Sequence, residues 1–242
     1  MTKKVIVRGP ALTQSGYGEH TRFLLRSLRK EPEKFDTYLV PLNWGKTGWI
    51  YEDTEERHWL DEIIKKTHLY LSNGGQFDIS VQVSIPNEWE KIAPCNIGVT
   101  AGIETTRVAP VWLEKINLMD RVITISNHSK QVIESTQYKG VVKGTDQEVE
   151  LSCNVPIDIV HYPVKKCTPC EIELNLEYDF NYLIVAQWGP RKNIENSIKW
   201  WIEENFDEEV GLVVKTSMKN NSIIDKQHVY NSLRDFIKSI ST

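Results

Sequence analysis

Arg191 and Lys192 follow a Gly189-Pro190 turn and precede Asn193, between an apolar run from Tyr182 to Ala186 and a stretch with helical spacing. Two cations at a strand-to-helix turn stand where first-turn N–H groups and the helix dipole already favour an anion. A phosphate-bearing ligand suits that position; so does a solvated loop carrying two surface charges. Ser15-Gly16-Tyr17-Gly18 occupies the corresponding turn after the first strand. Glycines there let a ligand approach the backbone closely, and the following helix start offers free N–H groups. The turn is not a dinucleotide fingerprint, because it lacks the third glycine and a ribose-binding acid after the second strand. A tight turn that needs positive φ is the plain alternative.

Other chemistry-bearing residues also follow strands. Gly102-Ile103-Glu104-Thr105-Thr106-Arg107 sets a carboxylate beside hydroxyls and a cation. Such a loop can orient a sugar or receive a proton, or form a salt bridge where the next helix begins. Ser126-Asn127-His128-Ser129 carries short polar side chains that cap a helix by default. Lys215 ends the run Gly211-Leu-Val-Val-Lys and faces either the ligand edge or plain solvent. Cys167-Thr-Pro-Cys170 has the spacing of a metal or redox pair, with Cys153 upstream. A redox pair opens a helix, whereas Glu171 to Glu177 alternates like an extended segment, so these are assigned as linker thiols and no metal is expected. The cysteines do not form a disulfide framework at this chain size.

The elements that must hold these groups alternate. Apolar β-branched runs predict strands at 5–7, 37–40, 77–83, 97–100, 121–125 and 157–161. Helical spacing predicts helices over 17–30, 59–71, 110–119 and from Ser126-Asn127 through 134. In the first helix Phe23, Leu24 and Leu28 form the apolar side, with Arg22, Arg26 and Arg29 opposite. Residues 139–152 alternate around Lys143-Gly144-Thr145-Asp146, which predicts a hairpin. Strands alternating with helices imply βαβ units and a mainly parallel sheet. The stretch 165–178 is a linker. Beyond it come strand 182–186, helix 193–204, strand 210–216 and helix 224–240. Two βα units do not close a doubly wound core, whose members need ~100 residues. The domains are therefore 1–164, complete, and 179–242, partial. An incomplete sheet leaves an edge and apolar faces for a partner chain to cover.

The 242 residues are 40% hydrophobic and 26% charged, an ordinary globular composition. A net charge of −4 gives no electrostatic footprint for nucleic acid. No run reaches the ~18 apolar residues of a membrane span, and the first residues enter a strand directly, so a cytoplasmic location is expected. The face formed by Arg22, Arg26, Arg29 and Lys30 could meet anionic lipid peripherally.

Four segments together resemble the retaining glycosyltransferases of GT-B architecture: Ser15 to His20, Gly102 to Leu113, Asp120 to Lys130, and Val185 to Asn193. The resemblance implies an α/β fold of two Rossmann-like domains, the N-terminal one on the acceptor side and the C-terminal one on the donor side. It implies a nucleotide sugar as donor substrate with no further cofactor, and a glycan, lipid or protein as acceptor. Gly16, Tyr17 and Gly18 would lie near the donor diphosphate. Lys192 would neutralise the leaving nucleoside diphosphate, assisted by Arg191. Glu104 and Thr105 would face the transferred sugar, Ser126 matches the small hydroxyl residue after the fifth strand, and Lys215 lies at the ligand edge. Gln187 stands where many members have arginine. The family's later acidic pair for donor sugar and ribose has no counterpart before residue 242, so the donor site is expected to be incomplete. A nucleotide-sugar epimerase and a non-enzymatic, partner-dependent module are the competing expectations.

Overall fold

A computed structural model of the chain describes residues 2–141, 144, 148–219 and 222–240. Its chain divides into two compact units, residues 1–44 with 49–165, and residues 45–48 with 166–242. The fold is α/β. In the first unit a six-stranded sheet runs in the order β2-β1-β3-β4-β5-β8. Its strands are β1 (Lys3–Gly9), β2 (Phe35–Pro41), β3 (Ile79–Val83), β4 (Cys95–Thr100), β5 (Arg121–Thr124) and β8 (Ile157–Ile159). Every pairing in it is parallel. Parallel strands are covered on both faces and so read as continuous apolar runs. Val5, Ile6 and Val7 are all buried for that reason.

Four helices make the crossovers: α1 (Gly16–Arg29), α2 (Glu55–Ser72), α3 (Pro110–Ile116) and α4 (Asn127–Ser135). Their starts are set locally. Ser15 Oγ accepts from Gly18 N, Thr54 Oγ1 from Arg57 N, and Ser126 Oγ from Ser129 N, each satisfying an otherwise orphaned first-turn donor. Pro110 opens α3, where its missing N–H costs nothing. One core packs Leu25 of α1 and Leu60 and Ile63 of α2 against Val5, Val7, Leu39, Val81 and Val83. A second packs Leu113 and Ile116 of α3 and Val132 and Ile133 of α4 around Trp89, Val122 and Ile157.

Several expectations are corrected. Helix α2 begins four residues before Trp59, because the Thr54 cap and the acidic Glu55-Glu56 turn start it there. Helix α3 stops at Ile116, three residues short of Met119. The β3–β4 crossover, where no helix was predicted, has no α-helix. It contains only a short 3-10 turn at Pro86–Glu88, and fully buried Trp89 fills the space a helix would cover. Gly98 makes that possible, since a Cβ there would come 2.3 Å from the indole. On α1 the fully buried leucine is Leu25, and Arg22, expected on the polar side, is itself buried.

The strands β6 (Tyr138–Val141) and β7 (Glu148–Leu151) form the expected antiparallel hairpin. Most of its expected turn, 142–143 and 145–147, lies outside the described residues. The second unit contains β9 (Phe180–Val185), α5 (Ile194–Glu204), β10 (Val210–Lys215) and α6 (Ile223–Ile240). β9 and β10 pair in parallel as a two-stranded sheet. No described helix is long and apolar enough to cross a membrane.

Candidate functional site

Strand order reverses between β1 and β3, from which successive crossovers lead to opposite sides. In open α/β sheets ligands bind at the carboxyl ends of the strands beside such a switch point. There the β1–α1 turn, the β4–α3 loop and the start of α4 meet through hydrogen bonds. Tyr17, in the first turn of α1, reaches over β3 to the end of β4. Its phenol oxygen lies 2.9 Å from Thr100 Oγ1 and accepts from Ala101 N at 3.0 Å. Thr100 Oγ1 also accepts from Gly102 N, and Ser129 Oγ donates to Ala101 O. Gly102 is held at φ 76°, and a Cβ there would fall 2.2 Å from Ser129 Oγ. The glycine is therefore required by both its dihedral and its neighbour.

Burial pushes the Tyr17 phenol above its ordinary value; the bonds from Thr100 and Ala101 oppose that rise, and the charges of Glu88 and Glu104 add to it. Glu104 itself is exposed and, among the described residues, has no cation within ion-pairing distance. The salt bridge considered for this loop does not form. Arg107 instead donates to Gln137 O at 2.9 Å and stacks on Tyr138. Thr105 Oγ1 is bound to Arg107 O at 2.7 Å. Ser126 is engaged as the α4 cap and bonds Ser129 Oγ at 3.0 Å.

The two glycines of the first turn differ. Gly16 is exposed and has nothing within 4 Å of a built Cβ. Gly18 is buried, its N–H is taken by Ser15 Oγ, and a Cβ would sit 2.2 Å from Thr13 O. Gly16 leaves room for a ligand, whereas Gly18 is accounted for by packing. Beside Gly16 opens a polar cleft of about 590 Å³ lined by Ser15, Glu19, Arg22, Arg26, Glu56 and Lys165, among others. Arg22 donates to Ala11 O, Thr13 O and Glu19. Arg26 bridges Glu19 and Glu56, and Arg29 pairs with Glu55. The basic face expected to meet lipid is thus largely neutralised within the chain. Burial would raise the carboxyl of Glu19, but Arg26 and Arg22 hold it below its usual value.

In the second unit the β9–α5 turn is built from backbone bonds, with Gly189 O accepting from Lys192 N and Asn193 N. Asn193 adopts the left-handed conformation at φ 52°, which asparagine tolerates. Arg191, Lys192 and Lys215 are exposed. A cleft of about 540 Å³ adjoins the turn, lined by Lys46, Trp188, Gly189, Pro190, Asn193, Glu195, Met218 and Lys219 among its residues. The cations on its wall are Lys46 and Lys219; Arg191 and Lys192 belong to the adjoining turn. Glu195 occupies the first turn of α5 and accepts from Trp188 Nε1 at 3.2 Å. Gln187 donates to the carbonyls of Met218 and Lys46, a scaffold role. Asp225 accepts from Met218 N and Lys219 N, fixing the loop that bears Lys219.

Tyr17, Gly16, Glu104 and Ser126 are therefore gathered at one sheet edge of the first unit, while Arg191, Lys192 and Lys215 belong to the second. Sequence reasoning missed Lys46 and Lys219, which lie far apart in the chain, and it missed His20 and Tyr162. Those two rings stack edge to face with centroids 4.7 Å apart. Only His20 had a local indication, its place one helical turn after Tyr17. No metal-holding group of His, Cys, Asp or Glu occurs among the described residues. Compared with family models, curated proteins and solved structures, the chain finds no match.

Proposed function

We propose that the protein binds a nucleotide sugar and transfers its sugar to an acceptor, as a glycosyltransferase of GT-B type with two Rossmann-like domains. The observation that carries this reading is the open Gly16 turn at a topological switch point, with Tyr17 tying it to the loop of Glu104. In this reading the exposed cations Arg191 and Lys192 stabilise charge growing on the departing diphosphate. Fixed donors and cations aimed at that charge lower the barrier, each contact contributing about 2–4 kcal/mol. Glu104, without an ion-pair partner among the described residues, is free to orient a sugar hydroxyl or take a proton.

The test is a thermal-shift panel of nucleoside diphosphates and their sugars, since a ligand at ~100 Kd adds about 2.7 kcal/mol to the native state. One nucleotide class is expected to raise Tm, and Lys192→Ala is expected to abolish most transfer without lowering Tm. An absence of shift across the whole panel, or full transfer by Lys192→Ala, would remove the reading.

A second reading, a partner-dependent module, is favoured by a different observation. Leu183 and Val185 on β9 are 65% and 63% exposed, in a parallel strand whose kind is normally covered on both faces. Light scattering separates the two, because a monodisperse monomer argues against an obligate partner.

A further inference from the structure

The segment 160–165 leaves β8 at one margin of the sheet and returns along the carboxyl edge toward α1. Val160 N donates to Thr124 O at 2.8 Å, continuing the sheet by one residue. His161 Nδ1 then donates to Ile125 O at 2.8 Å. Tyr162 meets His20 of α1 edge to face, at an interplanar angle of 73°. Lys165 arrives at the cleft wall beside Ser15 and Gly16. No regular secondary structure holds residues 161–165, and all five are exposed. They run from the end of β5 to α1, anchored at His161 and Tyr162 by side chains, the arrangement of a cover over the switch-point edge.

What lies beneath has a feature that packing alone does not explain. His20 Nδ1 is buried and has no hydrogen-bond partner among the described residues. A buried polar nitrogen without a partner is costly, and each such case calls for a reason. Burial alone lowers the imidazole pKa to about 4, so the ring is neutral at physiological pH, with an acceptor or donor unused. His20 lies three residues after Tyr17, on the same side of α1.

We propose that residues 160–165 form a strap closing the carboxyl-edge crevice, that the Tyr162 ring on His20 is its latch, and that lifting the latch opens His20 Nδ1 to a polar ligand. The strap is a property of the first unit and stands apart from what the ligand is. That the ligand is a nucleoside diphosphate or its sugar rests on the function proposed above. A closed strap also taxes affinity, because only the open fraction binds.

The experiment is an NMR titration of the imidazoles in the full chain and in Tyr162→Ala and Tyr162→Phe. Wild type and Tyr162→Phe are expected to show His20 titrating near 4, and Tyr162→Ala is expected to move it toward the ordinary 6.5. A His20 titration left unchanged by Tyr162→Ala would overturn the strap. Nucleoside diphosphates titrated into the same proteins are expected to bind Tyr162→Ala at least about threefold more tightly than wild type. Weaker binding by Tyr162→Ala would overturn the closure, making Tyr162 a wall of the site. If no nucleotide binds any of the three proteins, the glycosyl-transfer reading falls while the histidine titration still decides the strap.

Discussion

A methyl group added at Gly18 would place a carbon 2.2 Å from the Thr13 carbonyl oxygen, a backbone atom, whereas at Gly16 the same addition meets nothing within 4 Å. Gly18→Ala should therefore destabilise the protein by about 1–3 kcal/mol through overpacking. Gly16→Ala should stay within about 0.5 kcal/mol, as an unencumbered surface change does. Urea unfolding of the two variants checks both, and nucleotide affinity should fall in Gly16→Ala if a diphosphate approaches that turn. His20 sets a second residue-scale expectation. Its folded pKa, about 4, lies below the unfolded 6.5, so the unfolded chain takes up the proton first as pH falls. Stability is complete above pH 6.5 and is lost on going down toward 4, by up to about 3 kcal/mol. The depressed carboxyls of Glu19 and Asp36 act lower, their contribution being present above their unfolded values and lost as pH falls through the folded ones. His20→Phe should remove the upper window while keeping the lower. Melts in steps from pH 7 to 4 would show it, and an unaltered slope would refute the assignment.

Helix α1 is held in place as much by charge as by its apolar side. Arg22 spends its guanidinium on two carbonyls of the β1–α1 turn and on Glu19, and Arg26 and Arg29 fasten α1 to the first turn of α2. Removing Arg22 leaves buried acceptors without a partner, so Arg22→Met should cost about 3 kcal/mol. The half-exposed Arg26–Glu56 pair should show a coupling of only about 0.5–1 kcal/mol in a double-mutant cycle, fading with salt. The helix was legible from its spacing; the Ser15 cap and the arginine roles were not. Charge on one side of a helix ordinarily means solvent, and here α2 and the preceding turn come back over that side. What covers the sheet at the β3–β4 crossover, where no helix was predicted, was likewise not legible. A single tryptophan against Gly98 replaces a helix, a solution with no periodicity to detect.

At the scale of the whole molecule, nearly all buried apolar side chains belong to the first unit; in the second the buried side chains are Ile194, Ile198 and Asp225, among the described residues. The first unit should therefore carry most of the cooperative unfolding. A chain ending at Lys165 is expected to retain a single sharp urea transition and the near-ultraviolet circular dichroism of its buried Trp89. The second unit, with Leu183, Val185, Phe206 and Ile223 exposed, should bind an apolar dye such as ANS and lose its structure at lower denaturant. Loss of the main transition on truncation at Lys165 would show that the first unit depends on the second.

The sequence by itself determined the alternation of strands and helices, the parallel sheet, the helix cap at Ser126, and the placing of Gly16, Tyr17 and Glu104 after strands. These are local matters, fixed by side-chain period, turn chemistry and the rule that polar loops gather at strand ends. Only the tertiary structure decided which of those residues meet. Tyr17 finds Ala101 across 84 positions of chain, Tyr162 lies on His20, and Arg22 turns inward. Contacts between distant segments depend on how twisted sheets and crossovers bring edges together, and no short-range pattern encodes that.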